Sequence, residues 1–94
     1  MEFRMIKSPT PDVLDMILKR ISLSIDKEML CTDAIGLVQG RVIDMLFVAD
    51  IAQKTANVNV YDVRGNCPQN IILLAIFGDT TSVETAISQI KERL

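Results

Sequence analysis

Residues 71–77 run without a polar break (Ile71-Ile72-Leu73-Leu74-Ala75-Ile76-Phe77), which predicts a strand buried on both faces. Ala34-Ile35-Gly36-Leu37-Val38-Gln39, closed by Gly40, predicts a second buried strand. Val58, Val60 and Val63 alternate with Asn59, Tyr61 and Asp62, the period of a third strand. The short, mixed segment Phe3-Arg4-Met5-Ile6-Lys7 reads as an edge strand, stopped by Ser8-Pro9-Thr10-Pro11. Between these lie helical patterns. Thr10 as N-cap and Pro11 in the first turn open one, with Val13, Leu14, Ile17, Leu18 and Ile21 at helical spacing. Residues 41–57 predict a helix of about four to five turns. Its inner stripe is Val42, Leu46, Ala49, Ala52 and Ala56, broadened by Ile43, Phe47 and Ile51. Thr81-Ser82-Val83-Glu84 fits a capping box for a last helix, with Val83, Ala86, Ile87 and Ile90 on its inner face.

Residues 22–33 weaken into a connector, with a turn of helix around 27–30. The stretch Arg64-Gly65-Asn66-Cys67-Pro68-Gln69-Asn70 is a loop by its Gly, Asn and Pro content, and Gly78-Asp79 turns the chain. The order is strand–helix, strand–helix, strand–strand–helix, without linker or repeat. It predicts one α+β domain over 1–94, a small antiparallel or mixed sheet with helices on one face. The other face is then short, polar or covered by partner subunits.

Composition sharpens this. At 94 residues, a chain buries only about 60–65 % of its unfolded surface. Its 49 % apolar content and mean hydropathy of +0.29 therefore point to self-association. Having no His removes Ser–His and Cys–His nucleophile chemistry and His-ligated metal sites. A net charge of −2 argues against nucleic acid as a partner. The longest apolar run is too short to span a bilayer, and the start lacks the apolar region of a signal peptide. A soluble cytosolic protein with reduced thiols is expected, with no membrane partner.

Cys31, after Met29-Leu30, reads as core packing, and the five Met read as core filler. The scattered Asp and Glu show no calcium-loop spacing. Gly65 is expected to supply a positive φ or a close approach between loops of neighbouring copies at an axis. Asn66, Gln69 and Asn70 serve as turn residues or as donors. Cys67, beside Pro68 and near Arg64, is either an inert loop thiol or a thiolate favoured by that arginine. Lys54 suits the negative end of its helix.

Residues 34–94 resemble the bacterial microcompartment shell domain. Ala34-Ile35-Gly36-Leu37-Val38 resembles its opening strand, and Ala49-Asp50 with Lys54-Thr55-Ala56-Asn57-Val58 resembles the end of its first long helix. Gly78-Asp79 followed by Val83 resembles the turn into its second helix. Met5-Ile6-Lys7-Ser8-Pro9-Thr10 resembles an element that usually follows that helix but here stands first, the arrangement of circularly permuted shell proteins. Gly65-Asn66-Cys67-Pro68-Gln69 is similar to the Gly-x-Cys-Pro-Gln loop of shell proteins from glycyl-radical-type propanediol microcompartments. Two residues depart from the pattern: Gln39 replaces a frequent acid and Ser8 a usual edge arginine.

The resemblance implies a structural homohexamer, not an enzyme, that tiles with other shell proteins in a bacterial microcompartment shell in the cytoplasm. It implies a central pore lined by Arg64, Gly65, Asn66, Cys67, Pro68, Gln69 and Asn70. Cys67, with Gly65, Pro68 and Gln69, would hold an iron–sulfur cluster of the 4Fe-4S type for electron transfer to encapsulated redox enzymes. One thiolate per chain cannot make a four-iron site, but symmetry copies supply several. Lys54 and Asn57 would form the hexamer edge. Two alternatives stay open. One is a metal-free hexamer passing small metabolites by Asn66, Gln69 and Asn70; the other is a small ligand-sensing regulatory domain.

Overall fold

Strand β1 (Glu2–Lys7) is followed by α1 (Pro11–Lys19), β2 (Ala34–Arg41), α2 (Val42–Thr55), β3 (Asn59–Val63), β4 (Ile71–Gly78) and α3 (Thr80–Arg93). This computed structural model describes residues 1–21, 30–65 and 70–94. The predicted order of elements is the observed one. The expected helical turn at 27–30 falls largely outside the described residues.

The strands form one antiparallel sheet in the order β1-β2-β4-β3. The most apolar strand, β4, takes an inner position between β2 and β3, and the mixed β1 takes an edge. Ala34 lies opposite Gly78 and Arg41 opposite Ile71, so the end of β2 and the start of β4 share one end of the sheet.

Period-two alternation divides β4 between two cores. Leu74 and Ile76 join Val38, Met45, Val48, Ile51, Ala52, Val83, Ala86 and Ile90, which is the α2/α3 side. Ala75 and Phe77 join Ile17, Ile21, Leu30, Ile35 and Val63 on the other side. Tyr61 meets the Phe77 ring edge-on at 5.8 Å there. Helices on one face is thus correct for α2 and α3, while α1 lies across the sheet from them. The sheet needs both layers because β4 has no polar position to offer solvent.

Local chemistry explains the helix starts. Thr10 is the N-cap of α1, accepting from the Val13 N–H at 3.3 Å, and Pro11 opens the helix. Ile21 lies beyond the helix end and bridges to Val63. The expected capping box at 81–84 is displaced. Asp79 is the N-cap of α3, accepting from the Ser82 N–H at 2.8 Å while the Ser82 hydroxyl donates to its other oxygen at 3.1 Å. These bonds, the Ser82 N–H first, hold the Asp79 carboxyl below its ordinary pKa. The predicted inner face of α3 (Val83, Ala86, Ile87, Ile90) is buried.

The predicted stripe of α2 is corrected. Met45, Val48, Ile51 and Ala52 are buried, while Val42, Ile43, Leu46 and Phe47 are exposed. Both faces of its first half are apolar, so periodicity could not choose between them. Small Ala52 and flexible Met45 are what fit the close approach to the sheet. Met as core filler is right for Met45 but not for Met1 or Met16, which are exposed.

Candidate functional site

The loop that carries Cys67 leaves from Val63, the last residue of β3, and returns at Ile71, the first of β4. Asn66, Cys67, Pro68 and Gln69 lie outside the described residues, so their expected roles as pore and cluster residues concern chain beyond the described structure. Both flanks of the loop are described, and both are fastened. The Arg64 N–H donates to the Arg20 carbonyl at 2.9 Å, next to the Ile21–Val63 bridge, which ties the outgoing leg to the end of α1. On the return leg the Asn70 carbonyl accepts from the Val42 N–H at 3.0 Å, which ties it to the first residue of α2.

Asn70 has φ 59, the left-handed region that Asn tolerates better than most residues. The turn reading of Asn70 is therefore the observed one. Gly65 is not at positive φ, which removes that half of its expected role, and among the described residues nothing lies within 4 Å of a Cβ placed there. Arg64, Gly65 and Asn70 are exposed. Nothing in the sequence marks the anchors Arg20 and Val42, since both act through backbone groups.

Beside the return leg lies a cleft of about 300 Å³, lined among others by Glu2, Gln39, Arg41, Asp44 and Ile71. Gln39 is thus at the loop end of the sheet. Arg41 is the N-cap of α2 and makes no side-chain capping bond.

Cys31 is exposed, not packed in the core, because it precedes β2 on the surface. It lies near Ala34, whereas the return leg of the loop enters β4 at the Arg41–Ile71 pair. Seven residue steps of β2 separate these ends, about 23 Å at the strand rise. Among the described residues no group of three His, Cys, Asp or Glu could hold a metal ion.

Lys54 stands in the last turn of α2 and pairs with Asp50 at 2.8 Å, one helical turn back. Asn57 follows the helix and is exposed. Both candidate edge residues are therefore on the surface, on the far side of α2 from its Asn70-bound start. Ser8 has φ 49, and its N–H donates to the Asp33 carbonyl at 2.8 Å. No helix among the described residues is long and apolar enough to cross a membrane.

A search of curated protein sequences found no match. The family model described as BMC domain matches residues 34–94. Among solved structures, the ligand-free GrpU microcompartment shell protein from Clostridiales bacterium 1_7_47FAA is 45% identical, with TM-score 0.76, over 99% of this chain and 90% of that one. The ligand-free GrpU microcompartment shell protein from Pectobacterium wasabiae is 33% identical, with TM-score 0.73, over 96% of this chain and 99% of that one. The fused permuted hexameric shell protein MSM0275 from the RMM microcompartment shares the fold at TM-score 0.74 and 18% identity, over 98% of this chain and 44% of that one. In this chain β1 and α1 stand ahead of the matched segment, which gives the permuted order, and the chain belongs to the BMC domain family as a circularly permuted microcompartment shell protein.

Proposed function

We propose that this shell protein is a cyclic hexamer that tiles with other shell proteins, and that residues 64–70 of its six copies line a central pore. The 45% identity to a microcompartment shell protein over nearly the whole chain is the observation that carries this reading. The exposed loop flanks Arg64, Gly65 and Asn70 support it, since residues that line a pore cannot be buried in their own subunit. Lys54 and Asn57 are the tile's edge residues in this reading, and its role is structural.

Cys67 thiolates from several copies hold an iron–sulfur cluster at that pore, of the 4Fe-4S type. The donor set fits on one condition, namely that the site is shared between copies. The loop has one thiol per chain, and Cys31 starts from the opposite end of the sheet. When bound, such a group supplies reversible one-electron chemistry at the shell. The chain's own part is to present the sulfur on a loop fastened at both legs, with the Arg64 charge three residues away favouring the thiolate. Encapsulated redox enzymes are the proposed electron partners.

Anaerobic purification followed by addition of iron and sulfide tests the cluster. A brown hexamer whose visible absorbance disappears in Cys67→Ser, with the native mass unchanged, is the expected result. A wild type that stays colourless leaves the metal-free pore lined by Asn66, Gln69 and Asn70. A stable dimer by native mass would sink the tile itself and favour the sensor alternative.

A further inference from the structure

We propose that Arg20 and Arg64 form a binding site for a phosphate group at the foot of the loop that leaves β3. The site lies within one chain, so it stands whether or not the copies assemble as proposed above. Ile21 bridges Val63 in the antiparallel sense, so Arg20 and Arg64, one step along each segment, are opposed. The Arg64 N–H donates to the Arg20 carbonyl at 2.9 Å across that pair. Opposed Cα atoms in a hydrogen-bonded antiparallel pair are about 5.5 Å apart, well within the reach of two arginine side chains. Both arginines are exposed, while Ile21 and Val63 beside them are buried. The core therefore fixes the backbone from which two guanidinium groups rise.

Like charges at opposed positions repel, so such a pair costs stability unless an anion lies between them. The chain carries a net charge of −2, yet among the described residues no carboxylate is within ion-pair distance of either arginine. Lys7 and Lys54, by contrast, are matched with Glu84 and Asp50. Asp62, two residues back along β3, is exposed and pairs with neither arginine. Lys19, exposed in the last turn of α1, adds a third positive charge beside the pair. The negative end of α1 accounts for Lys19 and Arg20, but not for Arg64 on the segment opposite. Charge and geometry select the ligand. A guanidinium fork binds an oxyanion through two parallel N–H bonds, so a carboxylate satisfies one fork. Two forks call for more acceptor oxygens and nearly two negative charges, which a phosphate group supplies.

The test uses the full-length chain without added iron, in calorimetric titrations at fixed ionic strength. Inorganic phosphate is expected to bind saturably, and acetate at least tenfold more weakly. Arg20→Gln and Arg64→Gln are each expected to lower the phosphate affinity at least tenfold. Arg4→Gln, on the opposite edge of the sheet, is expected to leave it unchanged. Phenyl phosphate in place of the free ion separates the two sources of the group: tighter binding of the ester points to a phosphorylated metabolite, tighter binding of the ion to free phosphate. Both replaced side chains are exposed, so the variants are expected to keep the circular dichroism of the wild type. The comparison of phosphate with acetate on the wild type decides the matter even if a variant fails to fold. Phosphate is also expected to raise the melting temperature of the wild type more than that of Arg64→Gln. A wild type without saturable phosphate binding, or binding that both glutamine variants retain, overturns the inference. An equal rise in melting temperature from sodium chloride at the same ionic strength reduces the effect to screening and overturns it as well.

Discussion

The Val42 N–H donates to the Asn70 carbonyl at 3.0 Å, joining the first residue of α2 to the residue that closes the β3–β4 loop. A helix start leaves N–H groups without intrahelical partners, and a returning loop needs a fixed end. One bond meets both needs. It also makes the position of the loop depend on that of α2, which is held by Met45, Val48, Ile51 and Ala52 in the core.

Asn70 bends into this bond at φ 59. Asn70→Val is expected to destabilise the fold by about 1–2 kcal/mol, because a β-branched side chain meets the following carbonyl in that conformation. Asn70→Gly is expected to be tolerated. Urea denaturation of the three proteins checks this, and equal losses in both variants would move the importance to the amide side chain.

Phe77 is fully buried, with Tyr61 edge-on to it, on the α1 side of the sheet. Phe77→Ala is expected to cost about 3–5 kcal/mol. Met16→Ala, on the exposed side of α1, is expected to stay within about 0.5 kcal/mol. Thermal or denaturant melts distinguish them, and a mild Phe77→Ala would mean that the α1 layer carries little of the stability.

Lys54 and Asp50 are both largely solvated, with side chains 69% and 56% exposed. Their ion pair is worth about 0.3–0.5 kcal/mol. Lys54→Ala is therefore expected to leave the fold and the hexamer intact. If Lys54 is an edge residue, extended sheets seen by electron microscopy are expected to be impaired. Unchanged sheets would remove its edge role.

Asp79 caps α3 as a carboxylate, and its folded pKa is lowered by the Ser82 N–H and hydroxyl. A lowered folded pKa means that the stabilisation is present above the unfolded value and is lost as pH falls through the folded one. The gap in melting temperature between wild type and Asp79→Ala is expected to be widest near neutrality and to close below about pH 4. A constant gap across that range would contradict the charge-dependent cap.

The order of elements was legible because each strand and helix has its own period, and β4 announced its two buried faces by having no polar residue. That double burial already required a second layer, yet the placement of α1 depends on how residues 11–21 cross the sheet, which no spacing encodes. The sequence places the α3 cap two residues late because Thr81 and Glu84 have the spacing of a capping box, while Gly78-Asp79 reads as a turn. Cys31 follows two apolar residues, a local context that suggested burial but says nothing of the tertiary surface. At the site, the sequence marked the loop by Gly65, Cys67 and Pro68. Its fastenings at Arg20 and Val42 use peptide groups, which every residue possesses, and so left no trace in composition.

The two apolar sides of α2 subject neighbouring positions of one helix to different tests in the life of the protein. A polar residue at Met45 or Val48 damages the chain as it folds, before any neighbour exists. A polar residue at Ile43 or Leu46, both exposed, leaves the fold of the single chain intact. Inheritance can therefore alter the outer side of this helix without altering how the chain folds.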